Sequence, residues 1–209
     1  MRAISTLEAR FWIASILAFV LFAALGSFVS SRPPGPIDLA GTTLRGEAPR
    51  VAAFFTALGR TYAIIAIGVF AALVALVARA NVLAVFGVLI AQVVSQAVVA
   101  ALKPVFHRLR PDHWLLYRET DLSFPSGHAT TSIVFFLSLA LLAQRLPPNV
   151  PRAVAATLAT LGGVCVIAIP WSRLALGAHY ATDVTGGLLF GTGTLCAMVA
   201  LLFRFGALA

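Results

Sequence analysis

Charge is what this chain lacks: 11% of its 209 residues are Asp, Glu, Lys or Arg, with a single lysine and seven acids. A water-soluble domain carries about 25% charged residues, so a large soluble domain is excluded. No polar stretch is long enough to fold around a core of its own, and neither an internal repeat nor a low-complexity tail is present. The two cysteines, Cys165 and Cys196, each sit inside an apolar run. They read as packing residues and support neither a disulfide framework nor a zinc site.

Apolar residues fill the space that charge leaves, at 60% of the chain and a mean hydropathy of +0.98. A bilayer-spanning helix needs about 20 mostly apolar residues, so these suffice for about six spans and little else. The expected fold class is all-α, an integral-membrane bundle of six transmembrane helices forming one domain over residues 1–209. The spans are expected near 11–29, 62–78, 82–102, 127–146, 153–169 and 180–205. The first is longer than the 7–15-residue apolar region of a signal peptide and reads as a retained helix. Residues 32–60 read as a polar connection with room for a short surface helix.

Fifteen Lys and Arg against seven acids give a net charge of +8. On a chain this apolar the excess points to the lipid bilayer and to a phosphorylated membrane lipid substrate, not to nucleic acid. Six spans put both termini on one side. With the termini inside, six basic residues lie inside and nine outside. Setting aside Lys103, Arg110 and Arg173, assigned below to substrate, leaves six against six, and the flanks of the first span favour a cytoplasmic N-terminus.

Ionisable residues near the apolar runs concentrate in three strings: "KPVFHRLRP" at 103–111, "PSGH" at 125–128 and "SRLALGAHYATD" at 172–183. Six alternating spans bring all three to the same side, with a candidate catalytic loop between the third and fourth. Lys103, Arg110 and Arg173 are permanent cations kept near an apolar core at considerable cost, and a multiply charged anion is their natural partner. Arginine's planar fork suits phosphate oxygens. Ser126 can cap the fourth helix, whose first N–H groups are free to meet an anion.

His179 and Asp183 are four residues apart, one helical turn, so the carboxylate can hold one imidazole nitrogen and leave the other facing the pocket. A histidine so held can attack phosphorus as a nucleophile. His128 then reads as the acid that protonates the leaving oxygen and the base that activates water. His107, Asp112, His113, Glu119 and Asp121 read as loop polar residues. The small residues of "GGLLFGTG" at 186–193 permit close helix packing or a groove for lipid.

In spacing and order the three strings resemble the type 2 phosphatidic acid phosphatase family, the lipid phosphate phosphatase superfamily: Lys, six residues, Arg-Pro; then Pro-Ser-Gly-His; then Ser-Arg, five residues, His, three residues, Asp. The resemblance implies phosphate held by Lys103, Arg110, Ser126, Gly127 and Arg173, a nucleophile at His179 positioned by Asp183, and acid–base work by His128. It further implies no metal and no other cofactor, and an active site on the extracytoplasmic face of an inner or plasma membrane, with both termini cytoplasmic. Undecaprenyl diphosphate, phosphatidylglycerol phosphate and phosphatidic acid are the expected substrates, with lipid A as an alternative. Two other classes compete. A vanadium haloperoxidase shares the anion site but is soluble, and a non-catalytic lipid-phosphate-binding or transport protein would be expected to lose His128, His179 or Asp183. Oligomeric state stays open.

Overall fold

The computed structural model describes residues 4–112, 114–116 and 119–205, and these are helical or irregular with no β-strand among them. The helices are α1 (Thr6–Ser30), α2 (Pro36–Gly41), α3 (Pro49–Leu58), α4 (Thr61–Val77), α5 (Val82–Phe106), α6 (Gly127–Ala143), α7 (Arg152–Ala175) and α8 (Ala181–Arg204). Their starts follow local chemistry. Ser5 accepts from the Glu8 N–H at 3.1 Å and Asn81 from the Ala84 N–H at 3.0 Å, each capping free donors at a helix start. Pro36 and Pro49 open α2 and α3, where a missing N–H costs nothing.

The bundle is inside-out relative to a soluble protein. Ile13, Ile16 and Val20 of α1, Ile65, Val69 and Phe70 of α4, and Leu83, Ile90 and Val93 of α5 are exposed. Inside lie polar side chains that bond helix to helix, such as Gln92 of α5 donating to Thr131 of α6 at 2.8 Å and Ser15 of α1 donating to the Gly193 carbonyl of α8 at 2.8 Å. Side-chain hydrogen bonds between close-packed helices are one of the forces that hold a bundle together where lipid offers no hydrophobic drive.

Four helices, α1, α5, α7 and α8, are long and apolar enough to cross a membrane. The pair α3 and α4, bent by 59°, makes a fifth if taken as one span. The expected fourth span is the exception. Helix α6 ends at Ala143, and its middle, Ser132–Leu137, is a π-helix. At about 1.5 Å per residue it reaches about 26 Å, short of the ~30 Å hydrocarbon layer. It is also the central element, with Ala129, Thr130, Thr131, Ser132, Val134 and Phe135 all buried against neighbours.

Two expectations change. Residues 32–60 are not simply a connection: α2, a 3-10 turn at Thr42–Leu44 and α3 fold back, α2 onto α8 and α3 onto α7. Helix α5 runs past the expected end of its span to Phe106, so Lys103 is helical. His107, in the left-handed region at φ 45°, then turns the chain toward Arg108 and Arg110.

The glycines at 186–193 pack and do not form a groove. Gly186 lies under the Phe124 ring, an ideal Cβ on Gly187 would come 2.8 Å from the Ala129 Cβ, and one on Gly191 would come 2.9 Å from the Ile133 Cβ. Below the "PSGH" string, Phe22 stacks on Phe124 with ring centres 5.5 Å apart, and Phe106 meets Phe124 edge-on at 4.9 Å. This aromatic cluster fixes the level at which Ser126, Gly127 and His128 enter the bundle.

Candidate active site

All three strings reach the same end of the bundle. The second half of α5, residues of the loop that follows it, the start of α6 and the turn between α7 and α8 line a cavity of about 740 Å³, to which the α3–α4 bend adds Gly59, Arg60, Thr61 and Tyr62. Of the eight residues singled out from sequence, Lys103, Arg110, Gly127, His128 and His179 line it. Ser126, Arg173 and Asp183 stand behind that wall, all buried.

His179 is delivered by the turn after α7. Leu176 closes that helix, Gly177 takes a left-handed conformation at φ 66°, and the His179 N–H returns to the Arg173 carbonyl at 3.3 Å. The His179 Nε2 faces Arg110 Nη1 at 2.9 Å, and its Nδ1 lies 3.6 Å from Asp183 Oδ2 and 3.5 Å from Ser123 Oγ. A guanidinium can only donate, so Nε2 is the nitrogen with the lone pair and Nδ1 carries the hydrogen; the tautomer follows from these partners. Burial, then the charges of Arg110, Arg173 and Lys103, holds this imidazole well below the usual 6.5.

Asp183 is fully buried and fully bonded. Its Oδ1 accepts from Arg108 Nη1 at 2.6 Å, and its Oδ2 accepts from the Tyr180 N–H at 2.8 Å and from the Ser123 hydroxyl. Arg108 is itself gripped from the far side: its Nη2 meets Asp38 Oδ2 at 2.5 Å. Asp38 Oδ1 takes the Thr182 N–H at 3.0 Å and the Thr182 hydroxyl at 2.7 Å. A chain Asp38–Arg108–Asp183–His179 thus runs from α2 to the imidazole. Burial opposes ionisation of Asp38, but the Thr182 hydrogen bonds and the Arg108 charge outweigh it and hold its carboxyl below the ordinary value.

The three expected phosphate-binding cations are each engaged by a carboxylate. Lys103 pairs with Asp121 and donates to the Leu122 carbonyl at 2.8 Å. Arg110 meets Asp121 Oδ1 at 2.6 Å and Glu119 Oε2 at 2.8 Å. Arg173 meets Glu119 Oε1 at 2.7 Å and Thr56 Oγ1 at 2.6 Å, while its Nε is buried with no partner among the described residues. Glu119 and Asp121 therefore lie across the site as a bridging pair of carboxylates and are more than loop polar residues. For Asp121, Lys103 and Arg110 overcome the effect of burial and keep the carboxyl low.

His128 sits in the first turn of α6, with its Nε2 3.1 Å from the Thr56 carbonyl oxygen, an acceptor that requires a hydrogen on that nitrogen. Ser126, also expected at the phosphate, caps α6 by accepting from the Ala129 N–H at 3.5 Å, and its own N–H donates to the Asp183 carbonyl at 3.1 Å. His107 caps α5 and Asp112 is exposed, neither in the cavity wall. His113 lies outside the described residues.

Sequence reasoning missed Asp38, Thr56, Ser123 and Arg108. Only Arg108, inside the first string, carried a local signal: a second arginine beside Arg110 at an apolar boundary.

Comparison with known proteins places this arrangement among relatives. The family model of the PAP2 superfamily matches residues 80–207. Curated relatives include a lipid A 1-phosphatase of Rhizobium etli, 36% identical over 119 residues, which are 49% of this chain and 46% of that protein. Phosphatidylglycerophosphatase B of Bacillus subtilis is 32% identical over 90 residues, 43% of this chain and 44% of that protein. A decaprenylphosphoryl-5-phosphoribose phosphatase of Mycobacterium tuberculosis is 35% identical over 102 residues, 47% of this chain and 50% of that protein. The matched stretch thus spans half or less of these relatives. In fold, the chain resembles the crystal structure of a transmembrane PAP2-type phosphatidylglycerolphosphate phosphatase from Bacillus subtilis, with a TM-score of 0.74 at 22% identity over 92% of this chain and 96% of that one.

Proposed function

The chain belongs to the PAP2 superfamily, whose members at this similarity are membrane lipid phosphatases, and on that premise we propose that it hydrolyses a lipid phosphate or diphosphate through a phosphohistidine on His179. The observation that carries this reading is the orientation of His179, with Nε2 facing Arg110 and Nδ1 facing Asp183 and Ser123.

The substrate phosphate takes the place of the Glu119 and Asp121 carboxylates on Lys103, Arg110 and Arg173, and the Arg173 Nε, buried without a partner among the described residues, gains an acceptor. Gly127 at the start of α6 contributes its backbone N–H, with Ser126 holding that turn. His179 Nε2 attacks phosphorus as the bond to the leaving oxygen breaks, and His128 supplies that oxygen's proton. Asp183 stabilises the positive imidazole that forms. In the second step His128 takes a proton from water, the water oxygen attacks the phosphohistidine, the N–P bond breaks and phosphate leaves. The charge that a metal supplies in other phosphatases comes here from Lys103, Arg110 and Arg173, so the reaction proceeds without one.

The proposed setting is a single domain with six spans, in which α6, short but central, crosses inside the ring of the others. The active site faces the extracytoplasmic side of an inner or plasma membrane and both termini face the cytoplasm. Undecaprenyl diphosphate, phosphatidylglycerol phosphate and phosphatidic acid are the leading substrates. Lipid A is a second reading, favoured by the similarity to the Rhizobium enzyme.

The test is phosphate release from these lipids by detergent-purified wild type and His179→Ala in excess chelator. Release by wild type alone, undiminished by chelator, is expected. Equal release by the variant would remove His179 as the nucleophile, and loss of release in chelator would overturn the metal-free mechanism.

A further inference from the structure

The cavity is asymmetric. Lys103, Arg110 and Arg173, with Glu119 and Asp121 across them, cluster beside His179 and suit one transferring phosphoryl group. The same cavity is lined by Thr61 and Tyr62 at the start of α4 and by Gln96, Val99 and Ala100 of α5. Arg60 lines it too, at the 59° bend between α3 and α4. Its side chain is partly exposed.

Arg60 and His128 are held close together by the backbone. The Thr56 carbonyl receives the His128 Nε2–H at 3.1 Å, and an ideal Cβ on Gly59 would lie 3.2 Å from the same nitrogen. Only glycine lets the chain pass so close over the imidazole, and the next residue is Arg60. Arg60 and His128 line the same cavity, and because His128 gives the leaving oxygen its proton in the proposed reaction, the leaving group lies on their side.

Leaving groups differ in what they ask of that side. Phosphatidic acid releases a neutral alcohol, which has no use for a cation there. A lipid diphosphate releases a lipid monophosphate: the bridging P–O bond breaks, its electron pair stays on the bridging oxygen, and negative charge grows on a phosphate. A fixed cation aimed at charge that develops in the transition state accelerates the step itself.

Resting on the phosphatase reading above, we propose that Arg60 binds a second phosphate on the leaving-group side, and that the preferred substrate class is a lipid diphosphate. Arg60 selects among lipids, while Lys103, Arg110 and Arg173 serve any of them.

Purified Arg60→Gln and Arg60→Lys decide the matter against undecaprenyl diphosphate and phosphatidic acid in the same detergent. Replacing one charge-assisted contact lowers kcat/KM on the diphosphate about 10–100-fold, with the loss in kcat, and lowers it on phosphatidic acid less than about 3-fold. Arg60→Lys recovers most of the loss. Equal losses on both lipids, or none on either, overturn the proposal. A second readout needs no turnover: inorganic diphosphate raises the melting temperature of wild type more than orthophosphate does, and Arg60→Gln abolishes that preference. A preference kept by the variant, or missing from wild type, also overturns the assignment. Should His179→Ala retain full lipid hydrolysis, the phosphohistidine reading fails, while the melting experiment still judges Arg60.

Discussion

Asp183 illustrates how much one buried carboxylate asks of its neighbours. Zero exposure would be very costly for its charge without donors around it, and it has three: Arg108, Ser123 and the Tyr180 N–H. Arg108 in turn depends on Asp38, which is only 2% exposed. Removing one partner of a buried pair typically costs about 3–5 kcal/mol. Asp38→Asn is therefore expected to lower the melting temperature and to reduce kcat about 10-fold or more, although Asp38 is absent from the cavity wall. Wild-type kcat and melting temperature in that variant would refute the relay. His179 supplies a second test at this scale. Its neutral form attacks, and burial and three cations depress its proton affinity, so protonation removes activity only well below pH 6.5. An acid limb of kcat/KM at or above 6.5 that traces to His179 would contradict the environment described. The roles of His179, Asp183 and the cations were legible because their spacing carries the chemistry. Glu119 and Asp121 were misread because an acid in a polar loop looks the same whether it faces solvent or an arginine.

At the scale of elements, the site depends on α6 entering the bundle at one depth against α8. Glycines at 187 and 191 permit that contact, and Ser126, which holds the first turn of α6, bonds back to the Asp183 carbonyl in α8. An added methyl on Gly187 meets both the Ser126 carbonyl and the Ala129 Cβ, and overpacking of this kind costs about 1–3 kcal/mol. Gly187→Ala is thus expected to destabilise the protein and to reduce turnover by moving His128 relative to His179, measured as paired losses of melting temperature and kcat. Full activity would mean that the interface tolerates a shift. The apolar lengths of α1, α4, α5, α7 and α8 were readable from the sequence to within about six residues at either end, the end of α7 being the furthest off, at Ala175 against an expected 169. Helix α6 was overestimated because the first helix breaker that follows in the sequence is Pro147, whereas the helix already stops at Ala143, before Gln144 and Arg145. The α3 fold-back was missed because a moderately polar stretch carries no periodic signal strong enough to name its partner.

For the molecule as a whole, every site residue gathers at one end, while Arg79, Arg145 and Arg152 lie at the ends and turns opposite. The proposed sidedness follows from these two ends. In a background of Cys165→Ala and Cys196→Ala, Leu109→Cys at the site end should react with a membrane-impermeant maleimide on intact cells, and Pro148→Cys should not. The reverse labelling would invert the orientation, and labelling of both would break the six-span arrangement. By itself, the sequence determined that this is a membrane protein and which three strings bear its chemistry. Charge is too costly beside an apolar run to stand there without a reason, and the spacing of the motifs is local. Only the tertiary structure decided that the 32–60 segment reaches the site, bringing Asp38 to Arg108 and to Thr182 and Thr56 to Arg173, across 70, 144 and 117 residues. Contacts over such separations arise from how helices pack, and no local pattern of residues encodes them.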